Sequence, residues 1–267
     1  MLAHPFMQHA FVAGTAVSIL CGFVGYFLVL RGQVFSGDAL SHVAFTGSLG
    51  ALALEVSVRL GLYGATIGVS MLLAAIGSRR RADDVVVGSV FAWVLGLGVL
   101  FLSIFTSRHA TGNSRGGASV LFGSIFGLSS HDTVLVVLVA FAAVGALAFI
   151  ARPLLFSSLD ADVAASRAVP VRLLGYVFMA LVGVTAAEAT QAVGALLLLG
   201  LIAAPAAAAG RLTARPFKAM WASAAVAVAS MWIGLSISYA APRTPPSFAI
   251  IAVAAAIYAL SRVVVSS

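Results

Sequence analysis

Nine apolar stretches run along the chain, and short segments containing Arg, Pro or Gly separate them. The stretches cover approximately residues 6–30, 35–56, 60–78, 85–105, 117–150, 172–187, 192–210, 217–240 and 247–265. Most contain about the 20 apolar residues that a helix needs to cross the hydrocarbon core of a bilayer. Apolar and polar residues do not alternate within them, which excludes a transmembrane β-barrel. The pattern therefore predicts an all-α, polytopic transmembrane helical bundle of about eight or nine spans.

The stretch at 117–150 differs from the others because a polar sequence, from Gly123 to Asp132, interrupts it. We expect a short broken or re-entrant piece at about 117–128, followed by a span that begins near Asp132. Small residues at helical spacing, Gly64 with Gly68 and Gly123 with Gly127, suggest close packing between helices.

The composition agrees with a membrane protein. Hydrophobic residues make up 62% of the chain and charged residues only 9%, whereas a soluble domain carries roughly 25% charged residues. The net charge of +7 does not indicate nucleic-acid binding, because the basic residues lie between the apolar stretches, where they orient a membrane protein. With 267 residues, the chain has room for a single transmembrane domain, 1–267, and for no sizeable soluble domain.

The distribution of basic residues predicts the orientation of the bundle. If the nine stretches are spans, eleven basic residues fall on one side and only four, Arg59, Arg108, Arg115 and Arg243, on the other. The richer side is expected to be the cytoplasm. The C-terminus and the loop at about 155–171 are then cytoplasmic.

The loop at 155–171 has the signals of a short helix of its own. Ser157 and Ser158 are expected to cap its start, Asp160 to lie in its first turn, and Pro170 to end it. A short amphipathic helix here suits contact with a protein partner or with the membrane surface. It is equally compatible with an ordinary connection between spans.

Asp38 and His42 are the main candidates for chemistry, because charged groups inside a membrane span are costly and are usually functional. Their spacing of four residues puts both side chains on one face of a helix. A carboxylate and an imidazole in that arrangement can hold a divalent metal ion. The alternative is structural: Asp38 caps the helix, and His42 bonds to it or to a neighbouring span.

Other polar residues give weaker signals. His4 and His9 lie at the expected outer mouth, where they suit either metal capture or simple solvation. Glu188 is expected in a solvated outer loop. The single cysteine, Cys21, excludes an internal disulfide and a cysteine-cluster metal site.

Motifs for ATP hydrolysis and for hydrolytic catalysis are absent from the sequence. A P-loop needs Gly-Lys-Ser/Thr, but the only lysine, Lys218, lies between Phe217 and Ala219. Neither Gly-x-Ser-x-Gly nor His-Glu-x-x-His occurs. We therefore expect a transport subunit and not an enzyme.

Four segments of the sequence carry motifs of one family of membrane proteins. The run LRGQVFSGDALSHVA, from Leu30 to Ala44, resembles its signature, in which an arginine and Gly-Asp-x-x-x-His start the second span. Phe122–Gly127 resembles its central Phe-Gly-Ser-Ile/Leu segment, and Asp162–Val169 resembles its cytoplasmic coupling loop. Gln191–Ala209 resembles its late Val-Gly-x-Leu-Leu motif with the Pro-Ala-Ala/Thr-Ala end. The chain thus resembles the zinc, manganese and iron ABC-transporter permeases of ABC-3 type over nearly its whole length.

The resemblance implies a type II-like ABC importer permease in the bacterial plasma (inner) membrane. Such a permease works as a homodimer in membrane lipid with separate ATPase subunits, and an extracytoplasmic binding protein delivers its substrate, a divalent metal ion. It has no permanently bound cofactor and no nucleic-acid partner. The resemblance assigns the metal path to Asp38 and His42, and the contact with the ATPase to Asp162, Ala164, Arg167 and Val169.

The sequence departs from the family pattern at two places. Ala168 stands where the family usually has Gly, which would stiffen the coupling turn. Arg243 occupies an outer loop that usually carries an acidic residue, so this loop would not attract cations.

Two other classes of transporter remain open. A secondary metal transporter or channel would work without an ATPase, but would need more charge inside the membrane. An ABC permease for cobalamin or iron chelates has no evident need for the Asp38/His42 pair.

Overall fold

The computed structural model describes residues 5–77, 84–108, 125–195, 198–241 and 243–266. Within these ranges the chain forms α-helices and one short 3₁₀ turn, Ile125–Gly127, and no β-strand. The helices are α1 (Pro5–Leu30), α2 (Val34–Ala53), α3 (Val58–Gly77), α4 (Asp84–Arg108), α5 (Ser130–Leu159), α6 (Ala161–Ser166), α7 (Val171–Val193), α8 (Leu198–Leu212), α9 (Pro216–Ala240) and α10 (Pro246–Ser266).

Seven of the described helices, α1, α3, α4, α5, α7, α9 and α10, are long and apolar enough to cross a bilayer. The helices α2, with 20 residues, and α8, with 15, account for the two remaining apolar stretches. The predicted all-α bundle is therefore confirmed. The 15 residues of α8 span only about 22 Å, less than the roughly 30 Å of hydrocarbon, so α8 starts or ends within the membrane.

Helix α1 is the centre of the bundle. Leu20, Phe27 and Leu28 have no more than 1% of their surface exposed, and the helix packs against α5, α7, α8 and α9. A second group forms around α2, which packs against α3 and α4. Ala44 of α2, Leu62 of α3 and Ala187 of α7 join the two groups in one buried contact.

Close approach of α2 and α3 depends on two glycines. A Cβ atom added at Gly47 would meet the carbonyl oxygen of Gly61, and one added at Gly61 would meet that of Gly47. Small residues allow this because van der Waals contact, and not the hydrophobic effect, drives helix association in lipid. The prediction of close packing at Gly64 and Gly68 was wrong, since no described atom lies within 4 Å of a Cβ at either position.

A glycine also separates α7 from α8. Gly194 has φ of 95°, a conformation that residues with a Cβ rarely adopt, and its amide donates to the carbonyl oxygen of Thr190. The Ser247 hydroxyl of α10 donates to the carbonyl oxygen of Val193 at 3.3 Å. The Val-Gly of the late sequence motif is therefore the end of α7 and the break before α8.

The start of α5 lies where the sequence predicted it, and its end does not. Ser129 caps α5 by accepting from the Asp132 amide, so the prediction that Asp132 lies at a helix start is confirmed. The helix then continues through Pro153 to Leu159. The predicted cap at Ser157 and Ser158 was wrong, because both hydroxyls donate to a carbonyl within α5. The predicted piece at 117–128 lies mostly outside the described residues.

The glycine contact between α2 and α3 gives a stability prediction. Gly47→Ala and Gly61→Ala should each lower the free energy of unfolding by about 1–3 kcal/mol, because the added methyl group overlaps backbone that cannot move freely. Gly64→Ala is the matched control on the same helix as Gly61, and should be neutral or slightly stabilising. Equilibrium unfolding in mixed detergent micelles measures all three. Equal losses for Gly61→Ala and Gly64→Ala would contradict this packing.

Candidate functional site

Asp38 does not cap α2. The residue preceding α2 is Gln33, which makes no side-chain cap, and Asp38 is the fifth residue of the helix. Among the described residues, the Asp38 carboxylate forms no ion pair and no hydrogen bond with another side chain. The capping alternative is therefore excluded, and a half-buried carboxylate inside α2 is left available to bind something else.

Asp38 and His42 share their face of α2 with Phe35, at the helical spacing of three, four and seven residues. The ring of Phe91, from α4, lies against this face. Its centroid is 5.0 Å from that of His42 and 6.3 Å from that of Phe35, with edge-to-face interplanar angles of 74° and 62°. The aromatic contact fixes the orientation of His42, which is also half-buried.

One copy of the chain supplies an incomplete set of metal ligands at this place. Within the described ranges, no cluster of three or more His, Cys, Asp or Glu side chains is suited to hold a metal ion. Asp38 and His42 are two ligands, whereas a protein-bound zinc ion takes four and larger divalent ions take more. The remaining ligands would have to come from water or from a second copy.

Arg31 fixes the turn that leads into α2. Its guanidinium lies over the ring of Phe178 in α7, 5.3 Å from the ring centroid, and burial lowers its pKa from the ordinary value. Gly32 follows with φ of 66°, and the Gln33 amide donates to the carbonyl oxygen of Leu28. The arginine of the sequence signature thus anchors the start of α2, a few residues before Asp38, to α7.

The two histidines proposed for metal entry are not brought together with Asp38 and His42. His9 is half-buried near the start of α1. His4 lies outside the described residues. Their role in metal entry stays a prediction.

Glu188 lies inside the protein and not in a solvated loop, so that expectation was wrong. It is only 2% exposed, because α7 continues past it to Val193. The Tyr63 hydroxyl of α3 donates to its Oε1 atom, and its Oε2 atom is buried without a partner. Arg59, one turn earlier on α3, acts electrostatically on the same carboxyl group.

Arg59 connects this buried carboxyl group to the protein surface. Its Nη2 atom lies 2.8 Å from Oδ1 of Asp132 at the start of α5. The Arg59 and Asp132 side chains are 35% and 36% exposed, so this ion pair is partly solvated. Sequence reasoning missed this junction of Arg59, Tyr63, Asp132 and Glu188. The four-residue spacing of Arg59 and Tyr63 was a usable signal, but nothing in the sequence placed them beside Asp132 and Glu188.

The loop at 155–171 contains a short helix, as predicted, with a different cap. Asp160 starts α6 by accepting from the amides of Asp162 and Val163. Asp162 and Arg167 are exposed, Ala164 is fully buried, and Val169 is half-buried. The Val169 amide donates to the carbonyl oxygen of Ala164, so these two residues hold the loop in shape while the charged pair faces outward.

Comparison with known proteins gives the family. The model of the ABC 3 transport family matches residues 3–265. This chain belongs to that family. The manganese transport system membrane protein MntC of Listeria innocua is 29% identical over 243 residues, which cover 90% of this chain and 84% of the relative. A probable iron transport system membrane protein of Haemophilus influenzae is 28% identical over 240 residues, covering 89% and 86%.

A solved structure has the same fold. A chain of PsaBC from Streptococcus pneumoniae, in complex with Fab, has a TM-score of 0.84 at 24% identity, over 97% of this chain and 92% of that chain. The resemblance read from the sequence is confirmed. The chain is a multi-pass membrane protein of an ABC transporter in the bacterial plasma membrane. Members of the family are transport proteins, and the relatives named above are membrane proteins of manganese and iron transport systems.

The position where this chain departs from the family pattern is strained. Ala168 has φ of 60°, in the left-handed region, which costs a residue with a Cβ about 1–2 kcal/mol. Ala168→Gly should therefore raise the free energy of unfolding, by up to about 1 kcal/mol after the added flexibility of the unfolded chain is counted. Ala165→Gly, in the exposed part of α6, is the control and should lower it by about 1 kcal/mol. Unfolding in detergent micelles distinguishes the two, and a loss at both positions would contradict strain at Ala168.

Proposed function

We propose that this chain is the permease subunit of an ABC importer that moves divalent metal ions, manganese, iron or zinc, into the cytoplasm, powered by separate ATPase subunits. The observation that carries the proposal is the Asp38/His42 pair. A carboxylate and an imidazole lie on one face of α2, a helix packed within the bundle of apolar helices, and the carboxylate has no counter-ion among the described side chains. An unpaired charge inside a membrane protein is costly and usually has a functional role, such as binding an ion.

A homodimer would complete the metal path. Two copies related by a twofold axis would bring two carboxylates and two imidazoles together if the α2/α4 face lies near the axis. Four ligands of this kind suit manganese, iron and zinc alike, and selection among these metals depends on geometry and availability. His4 and His9 would assist entry from the outside.

In such an importer ATP is hydrolysed by another chain, because this sequence has no P-loop. We propose that the loop at 155–171 faces the cytoplasm, with the C-terminus on the same side, and that the exposed Asp162 and Arg167 contact the ATPase. Ala164 and Val169 would support that contact from within the loop.

Removing the metal ligands tests the proposal. Asp38→Asn keeps the side-chain shape and removes the charge, and His42→Ala removes the imidazole, so each should reduce metal uptake by about tenfold or more. Uptake of radioactive manganese and iron by cells that contain the complete transporter is the measurement.

The controls for this test are Glu55→Gln and His131→Ala. Both change exposed polar residues away from the pair, and should leave uptake unchanged. Wild-type uptake by both Asp38→Asn and His42→Ala would overturn the proposed path. Uptake by the chain without any ATPase subunit would favour a secondary transporter, and transport of a chelate that is insensitive to both variants would favour a chelate permease.

Charge reversal tests the coupling loop. Arg167→Glu should weaken association with the ATPase, because an exposed cation of the proposed contact is replaced by an anion. The matched control is Arg243→Glu, an exposed arginine at the opposite end of the molecule, which should leave association unchanged. Co-purification of the two subunits from membranes measures both variants. Equal co-purification of Arg167→Glu and wild type would argue against this contact.

A further inference from the structure

The junction between α3, α5 and α7 has one cation for two carboxyl groups. Arg59 pairs with Asp132 of α5 and also acts electrostatically on Glu188 of α7. Tyr63 lies on the same face of α3 as Arg59, about 6 Å further along the helix axis, and donates to Glu188. An arginine side chain is long enough to cover one helical turn, so both carboxyl groups are accessible to it.

The pairing in this structure leaves one acceptor unsatisfied. The Oε2 atom of Glu188 is buried and has no hydrogen-bond partner, which is costly in a low-dielectric interior. The ion pair that is formed, between Arg59 and Asp132, is partly exposed and therefore weak. A second arrangement, with Arg59 on Glu188, would satisfy the buried group and leave Asp132 to water. Each arrangement therefore leaves one carboxyl group without the arginine, Glu188 in the first and Asp132 in the second.

The choice of partner determines which helix α3 holds. Within the described part of the chain, α3 packs extensively against α7 but not along α5, so the Arg59–Asp132 pair bridges two helices that are otherwise apart. Loss of this pair would free the start of α5 from α3. The same two helices flank the cytoplasmic loop, since α5 ends at Leu159 and α7 begins at Val171. A movement at the loop would reach the junction through both of them.

We propose that Arg59 exchanges partners during transport: paired with Asp132 it closes the outer end of the protein, and paired with Glu188 it opens it. Tyr63 is a positioning residue that holds Glu188 in reach. The inference rests on the proposed function, because an importer must open toward the outside to receive its ion. It assigns Arg59, Tyr63, Asp132 and Glu188 a role separate from that of the Asp38/His42 pair.

The chain carries its own reporter for this opening. Cys21 is the only cysteine, it is fully buried in α1, and it lies within electrostatic range of Glu188. A small, charged methanethiosulfonate reagent added from the outside reaches Cys21 only when the core beside Glu188 opens to water. Its reaction rate is measured in membranes that contain the complete transporter, and Cys21→Ser gives the background.

The variants should move this rate in different directions. Asp132→Asn removes the closing partner, so Arg59 turns to Glu188 and Cys21 should react about fivefold faster or more. Glu188→Gln removes the opening partner, and should leave Cys21 as protected as in wild type or more so. The double variant Asp132→Asn/Glu188→Gln should lose the acceleration. Glu55→Gln, a nearby exposed acid, should have no effect.

Tyr63→Phe is an independent test of the exchange if the Glu188→Gln variant does not accumulate in membranes. It keeps the packing but frees Glu188 to attract Arg59, so Cys21 should again react faster. Acceleration by both Asp132→Asn and Glu188→Gln would mean that the junction is only a structural contact, and would overturn the exchange. Wild-type rates in Asp132→Asn and Tyr63→Phe would overturn it as well.

The labelling result is separable from the proposed metal transport. Cys21 reactivity requires no metal, so the exchange can fail while Asp38→Asn still abolishes uptake. Conversely, normal uptake in Asp38→Asn together with the expected labelling pattern would retain the exchange and reject the metal path.

Discussion

Hydrocarbon offers no hydrogen-bonding partner, and this constraint explains most of the structure. Every backbone N–H and C=O group inside the membrane must find its hydrogen-bond partner within the protein, and this chain meets that requirement by forming helices. The same constraint acts on side chains. The hydroxyls of Thr15, Ser48 and Thr185 donate to a carbonyl oxygen four residues earlier in their own helices, at 2.6–2.8 Å. Polar groups that depart from this rule are therefore the natural candidates for function, and Asp38, His42 and Glu188 are the ones on which the proposals rest.

Helix packing in lipid gains little from burying apolar surface, so the shape of the contact decides which faces meet. Gly47 and Gly61 bring α2 against α3, and Ala44, Leu62 and Ala187 extend that contact to α7. One side of α2 is therefore packed against α3 and α7. The side with Asp38 and His42 is turned toward Phe91 of α4 and remains half-buried, as the proposed metal path requires.

The polar features are distributed between the two ends of the molecule in a way that suits transport. The loop at 155–171, with exposed Asp162 and Arg167, lies between α5 and α7. At their other ends these helices carry Asp132 and Glu188, the two carboxyl groups that face Arg59. The helices α5 and α7 thus connect the surface proposed for the ATPase contact to the junction at Arg59.

The sequence alone determined the helical class, the nine apolar stretches and the placement of Asp38 and His42 on one helix face, whereas the break between 187 and 192 that it predicted lies at Gly194 in the structure. The first three follow from local composition or from spacing along one helix, and the position of the break follows from the conformational freedom of one glycine. The sequence did not predict that Glu188 is buried within α7, because a charged residue among small residues is typical of the end of a span. Only the tertiary structure supplied Tyr63 and Arg59, from another helix, as the partners that allow α7 to continue past it. The close approach of Gly47 and Gly61, in place of Gly64 and Gly68, was decided in the same way, since glycine pairs are frequent in this chain and contact depends on which face of each helix meets a neighbour.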